Sequence, residues 1–166
     1  MPCWRELDRM ASPLVRQLHD YWQSKRIGRD IPDRRDIDPL ELKELLPNIL
    51  ISEPEFNPFR IRYRLVGTRV VRVSGIDFTG RYLDELLRPE VQEDWHGYYQ
   101  ISLYERIPVF GNITSPTTDG GTFTYEFGIF PLTKGGPEVT QFVALEDFGK
   151  QEPFSRQFYN NVKYFE

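Results

Sequence analysis

Cysteine is almost absent from the chain: among 166 residues there is one, Cys3. No disulfide can form within the chain, and a cysteine-based zinc site is excluded. Histidine is nearly as scarce. The two histidines, His19 and His96, come with no ligand motif, which argues against histidine–metal chemistry. No apolar run approaches the roughly 20 residues of a membrane span. The first residues lack the apolar core of a signal peptide, so a cytoplasmic location is expected. Excess positive charge is missing too. The net charge is −4, and no nucleic-acid binding is expected from that balance. No phosphate loop, nucleophile triad or metal-ligand set is visible.

Aromatic residues are plentiful. Twelve Phe, nine Tyr and three Trp exceed what a small core usually needs, so some are candidates for lining a cavity or an interface. The length favours one domain with extensions, and a chain of this size buries roughly 70% of its unfolded surface.

Residues 1–11 read as an irregular lead. Ser12 is an N-cap with Pro13 at the first helical position, and Leu14, Leu18, Tyr21 and Trp22 recur at helical spacing. The spacing predicts an amphipathic helix over 13–26, which packs on its own sheet or against a second copy. Residues 28–35 form a charged linker. Asp38 as N-cap, Pro39 behind it and Glu41 three residues on predict a second helix, ending at Leu46 before Pro47.

Residues 48–54 read as a strand. From Phe59 the chain alternates: Phe59, Ile61, Tyr63 and Leu65 point one way, Arg60, Arg62 and Arg64 the other. Gly67-Thr68 breaks that strand, and short helices are expected over 68–75 and 82–87. Pro89 opens a longer helix to Glu105 with Val91, Trp95, Tyr98 and Tyr99 inward. Three strands follow, over 107–114, 122–131 and 138–148, with glycine-rich turns between them. In the last, Val139, Val143 and Leu145 are in phase. Phe154, Phe158, Val162 and Phe165 predict a helical tail. The order implies an α+β fold, one antiparallel sheet with helices over one face.

These elements, with their motifs, resemble the PAS domain, and more closely a family of short bacterial PAS-like proteins. The residues that carry the resemblance are LHDYW at 18–22, PDRRDIDP at 32–39, LLPNI at 45–49, RYRLVGT at 62–68 and GIDFTG at 75–80. The resemblance spans roughly 18–148. It implies a five-stranded antiparallel sheet flanked by short helices, plus N-terminal and C-terminal helices. It divides the chain into an N-terminal extension (1–35), a PAS-like domain (36–148) and a helical tail (149–166). It further implies a stand-alone sensory or protein-interaction module in bacterial signalling, a homodimer, a separate signalling partner and a small apolar or aromatic ligand.

Light-sensing PAS domains tie a flavin or chromophore to a cysteine inside the domain. Cys3 lies outside it, which argues against a cysteine-linked cofactor. Haem-binding relatives use a histidine on the long helix, where His96 falls. His96 sits off the apolar stripe, however, so a rim histidine is the preferred reading. The ligand candidates are Tyr63, Trp95, His96, Tyr99, Tyr125 and Phe127. The alternative for the aromatics is a filled core. Arg60, Arg62 and Arg64 are expected on a solvated face, paired with Glu126 or Glu146. No enzyme activity is expected. The alternatives are a small isomerase or hydrolase holding Asp77, Glu126 or Asp94 inside a cavity with a shifted pKa, and a ligand-free dimerisation protein.

Overall fold

A computed structural model describes residues 3–116 and 121–150 of the chain. Ser12 caps the first helix as its sequence requires. Its hydroxyl accepts the Val15 N–H at 3.0 Å, and Pro13 opens helix α1 (Pro13–Ser24). Val15, Leu18 and Trp22 are buried, so this stripe is satisfied within the chain.

The strands are β1 (Cys3–Trp4), β2 (Ile49–Glu55), β3 (Arg60–Val66), β4 (Val109–Pro116), β5 (Thr122–Thr133) and β6 (Val139–Asp147). They form one sheet in the order β1-β4-β5-β6-β2-β3, with every pairing antiparallel. Five of these are the expected strands. The sixth, β1, pairs Cys3 with Gly111 and Trp4 with Phe110, so the lead over 1–11 is not wholly irregular. Two residues are too few to show a period of two in sequence.

Helices α2 (Thr68–Ser74), α3 (Leu83–Leu86) and α4 (Pro89–Glu105) lie over the inner face. Trp95 and Tyr98 of α4 meet Phe127 with ring centroids 4.9 and 5.5 Å apart, and Tyr99 meets Phe142 at 5.1 Å. Helix α1 covers the outer face. Trp22 packs on Phe130 and donates its indole N–H to the Pro131 carbonyl at 2.9 Å. Its first turn is pinned as well. Ser12 Oγ donates to Asp147 at 2.6 Å, and the Ala11 and Ser12 N–H groups donate to Glu126.

The helix expected over 38–46 is instead a series of turns. Asp38 does cap, accepting the Leu40 N–H at 2.9 Å. Most of the bonds that follow span three residues, such as Glu41 N–H to Asp38 O and Leu45 N–H to Leu42 O, and the segment runs into a 3-10 turn at Leu46–Asn48. Pro39 and Pro47 bracket too few residues for a stable helical nucleus, and burial of Leu42 and Leu45 sets the path. The linker before it is anchored by Asp33. This buried carboxylate accepts N–H groups from Gly135 (2.7 Å) and Arg35 (3.1 Å) and the Thr133 hydroxyl (3.2 Å). The bond from Gly135 is the main cause that holds its carboxyl below the usual range. The helical tail falls, from residue 151 on, outside the described residues. No described helix is long and apolar enough to cross a membrane.

Candidate functional site

Tyr63 on β3, Tyr125 on β5 and Glu146 on β6 point from the inner face into a cavity of about 50 Å³. Val70 and Ser74 of α2, Ile76 and Phe78 of the following loop, Leu86 at the end of α3, and Trp95 of α4 close it from the other side. The loop is braced at both ends. Ser74 donates to the Ile76 carbonyl, and the Asp77 carboxylate accepts the N–H and hydroxyl of Thr79. Gly80 N–H and Arg81 O then bond to the backbone of Tyr63, which fixes the loop beside β3.

Among the described residues of this lining, Glu146 is the one ionisable carboxyl. Alternation along β6 puts it on the face of Phe142 and Ala144, and its register neighbour on β5 is Phe127. No hydrogen bond or ion pair reaches its carboxyl from the described residues, and burial pushes its pKa up to about 8. Loss of water around it penalises the charged form, so the neutral acid persists to higher pH than in an exposed glutamate. Burial also raises the Tyr63 phenol well above its ordinary value and the Tyr99 phenol to about 12; the Glu146 carboxyl adds to both shifts.

Of the residues expected at a ligand site, Tyr63, Trp95 and Tyr125 line the cavity. Tyr99 and Phe127 are buried beside it in the aromatic core, outside its wall. His96 points elsewhere. Its ring meets Phe59 edge-on at 5.7 Å, and burial, with Arg60 nearby, lowers its pKa. The three carboxylates considered for an enzyme are all displaced: Asp77 and Asp94 are exposed, and Glu126 serves the N-terminus of α1 on the outer face. Glu146 takes that place, a residue expected to pair with arginines.

Two of the arginines find other acids. Arg60 holds Asp84 with two bonds of 2.6 Å while its guanidinium lies 3.6 Å from the Tyr82 ring centre. Arg64 bonds Glu53 at 2.6 Å, and Arg62 reaches the Gly80 carbonyl. His19 and Asp20, adjacent on α1, do approach to 3.2 Å, on an exposed carboxylate away from the cavity.

A family model described as the PAS domain matches residues 10–145. The chain belongs to the PAS domain family. No curated protein matches it in sequence. Among solved structures the PAS chain is similar to a light-oxygen-voltage domain studied with a flavin analogue: 17% identity, 68% of this chain and 84% of that chain covered, TM-score 0.50. It is also similar to the dark structure of the blue-light photoreceptor Aureochrome1 LOV, with 14% identity, 73% and 89% coverage and a TM-score of 0.48. At 17% identity the first of these likenesses is one of fold.

Neither haem nor flavin fits the cavity. Its 50 Å³ is far below the roughly 300 Å³ at which drug-sized pockets begin. Among the described residues no histidine or cysteine lines it, His96 is turned toward Phe59, and Cys3 lies on β1. Among the described residues no cluster of His, Cys, Asp or Glu could hold a metal ion.

Proposed function

We propose that this PAS domain is a bacterial signalling module that binds a small ligand at the inner-face cavity and passes occupancy to a separate partner protein. The observation that carries this reading is Glu146, a carboxyl without a partner among the described residues, held against a largely apolar wall. Burying such a group costs stability, and a purely structural core is better served by an apolar side chain there. A ligand that pairs with it recovers that cost. Occupancy would bias α2, α3 and the loop between them, the elements that close the cavity. A homodimer in the cytoplasm is part of the proposal.

An enzyme reading has one point in its favour. It asks for a cavity carboxyl with a raised pKa, and Glu146 supplies it. Burial holds the neighbouring Tyr63 phenol protonated, so beside Glu146 it offers a hydrogen bond and no second proton acceptor.

Native mass spectrometry of the purified protein, followed by a melting-temperature screen of small ligands, tests the proposal. A retained ligand, or a melting temperature that rises with ligand concentration, supports it. A bare chain that responds to no ligand sinks it and leaves the dimerisation reading, which the native mass reports directly.

A further inference from the structure

We infer that the cavity takes a small organic ammonium ion, its charged head on Glu146 and its alkyl part against the aromatic wall. The inference rests on the reading of the cavity as a ligand site and assigns the chemistry of what enters.

Three features of the lining select a cation. Among the described residues of the lining, Glu146 is the single ionisable carboxyl, and no Lys, Arg or His side chain contributes. An anion would meet no opposite charge there, and two like groups would have to share a proton. A neutral alcohol can answer the protonated carboxyl with one donor and one acceptor, but it gains nothing from the carboxylate that forms when the proton leaves. An ammonium group brings several donors to it and, at the same time, faces the rings of Tyr63, Phe78, Trp95 and Tyr125, which attract cations. The size is set by the cavity. Some 50 Å³ holds a few waters or a compact organic group, on the measure in which one water needs about 10–15 Å³.

Binding is coupled to a proton. Among the described residues, the titratable groups close to the Glu146 carboxyl are the phenols of Tyr63 from β3 and Tyr99 from α4, and Tyr125 from β5 lines the same cavity. Helices α2 and α3 present Val70, Ser74 and Leu86 to the cavity, and Asp84 of α3 is held by Arg60. A cation therefore enters as the carboxyl proton leaves to solvent: the O–H bond of Glu146 breaks, and the carboxylate pairs with the ammonium ion. Below the carboxyl pKa of about 8, binding tightens as pH rises.

The experiment titrates the full chain and its Glu146→Gln variant with propylamine, 1-propanol and propionate. Amide chemical shifts are followed at pH 6 and pH 8. Calorimetry in buffers of different ionisation enthalpy counts the protons released. The inference expects propylamine to bind at least tenfold more tightly than the other two. It expects the affinity to rise on the order of fifty-fold from pH 6 to pH 8 with release of close to one proton at pH 6, and the amine preference to vanish in Glu146→Gln. Propanol or propionate binding as tightly as the amine, or an amine affinity indifferent to pH or to the variant, overturns the inference while the cavity remains a ligand site. If none of the three probes shifts the cavity resonances, the inference fails. The broader reading fails separately, if the purified protein also carries no ligand and no screened compound raises its melting temperature.

Discussion

A methyl group on Gly67 would lie 2.4 Å from the carbonyl oxygen of Pro47 and 2.5 Å from that of Leu46. Gly67 has φ −63°, so it is required for close approach and not for handedness. Its N–H bonds the Ile49 carbonyl at 2.7 Å, which joins the two motifs LLPNI and RYRLVGT at one point. Gly67→Ala is expected to cost about 2–3 kcal/mol or to prevent folding, because rigid backbone must move. Urea unfolding measures it.

Gly97 makes the opposite prediction. It lies inside α4, and a Cβ there meets nothing within 4 Å. Gly97→Ala should stabilise by about 0.5–1 kcal/mol through helix propensity. The two alanine variants compared in one unfolding series separate steric demand from conformational freedom.

Asp33→Ala removes the acceptor for the Gly135 and Arg35 amides and the Thr133 hydroxyl. A loss of about 3 kcal/mol is expected, because these donors are left without their charged partner. The pH dependence follows from a folded pKa below the unfolded value. The stabilisation is present above the unfolded pKa and is lost as pH falls through the folded one. Acid unfolding should therefore begin at higher pH in Asp33→Asn than in the parent.

Glu146 has the reverse sign. Its folded pKa of about 8 exceeds the unfolded value, so the unfolded chain releases its proton first as pH rises. Its contribution to stability declines from about pH 4 to pH 8 and is constant above that. Glu146→Gln is expected to stabilise by a margin that grows through this window, reaching the order of a few kcal/mol at pH 8. Melting temperatures of the two proteins from pH 5 to pH 9 provide the check.

The Arg60–Asp84 pair ties α3 to β3 at the rim of the cavity. Both side chains keep some solvent contact, so a double-mutant cycle with Arg60→Met and Asp84→Asn should give a coupling of about 1 kcal/mol. Amide exchange is expected to speed up across α3 in either single variant.

Most strands were legible because alternation and turn chemistry agree, and Ser12, Pro13 and Pro89 marked helix starts. The side of the sheet to which each phase of β6 belongs was not legible. Polar–apolar contrast normally tells inner from outer face, but α1 and α4 cover both faces here. Val143 and Leu145 on one phase and Phe142 and Ala144 on the other are all buried. The sequence thus offers Glu146 to the arginine face, although it follows Phe142 and Ala144 in steps of two. The acids that hold Arg60 and Arg64, Asp84 and Glu53, were equally hidden, since strand register and the placing of α3 choose them.

Consecutive residues of a strand face opposite ways, and β6 ends on Glu146 and Asp147. One lines the cavity; the other grips the hydroxyl that caps α1. The cavity floor and the anchor of the outer helix are thus a single peptide unit apart. A displacement of that unit cannot be confined to one side of the molecule: whatever tugs on the inner carboxyl also loads the mooring of the helix on the far surface.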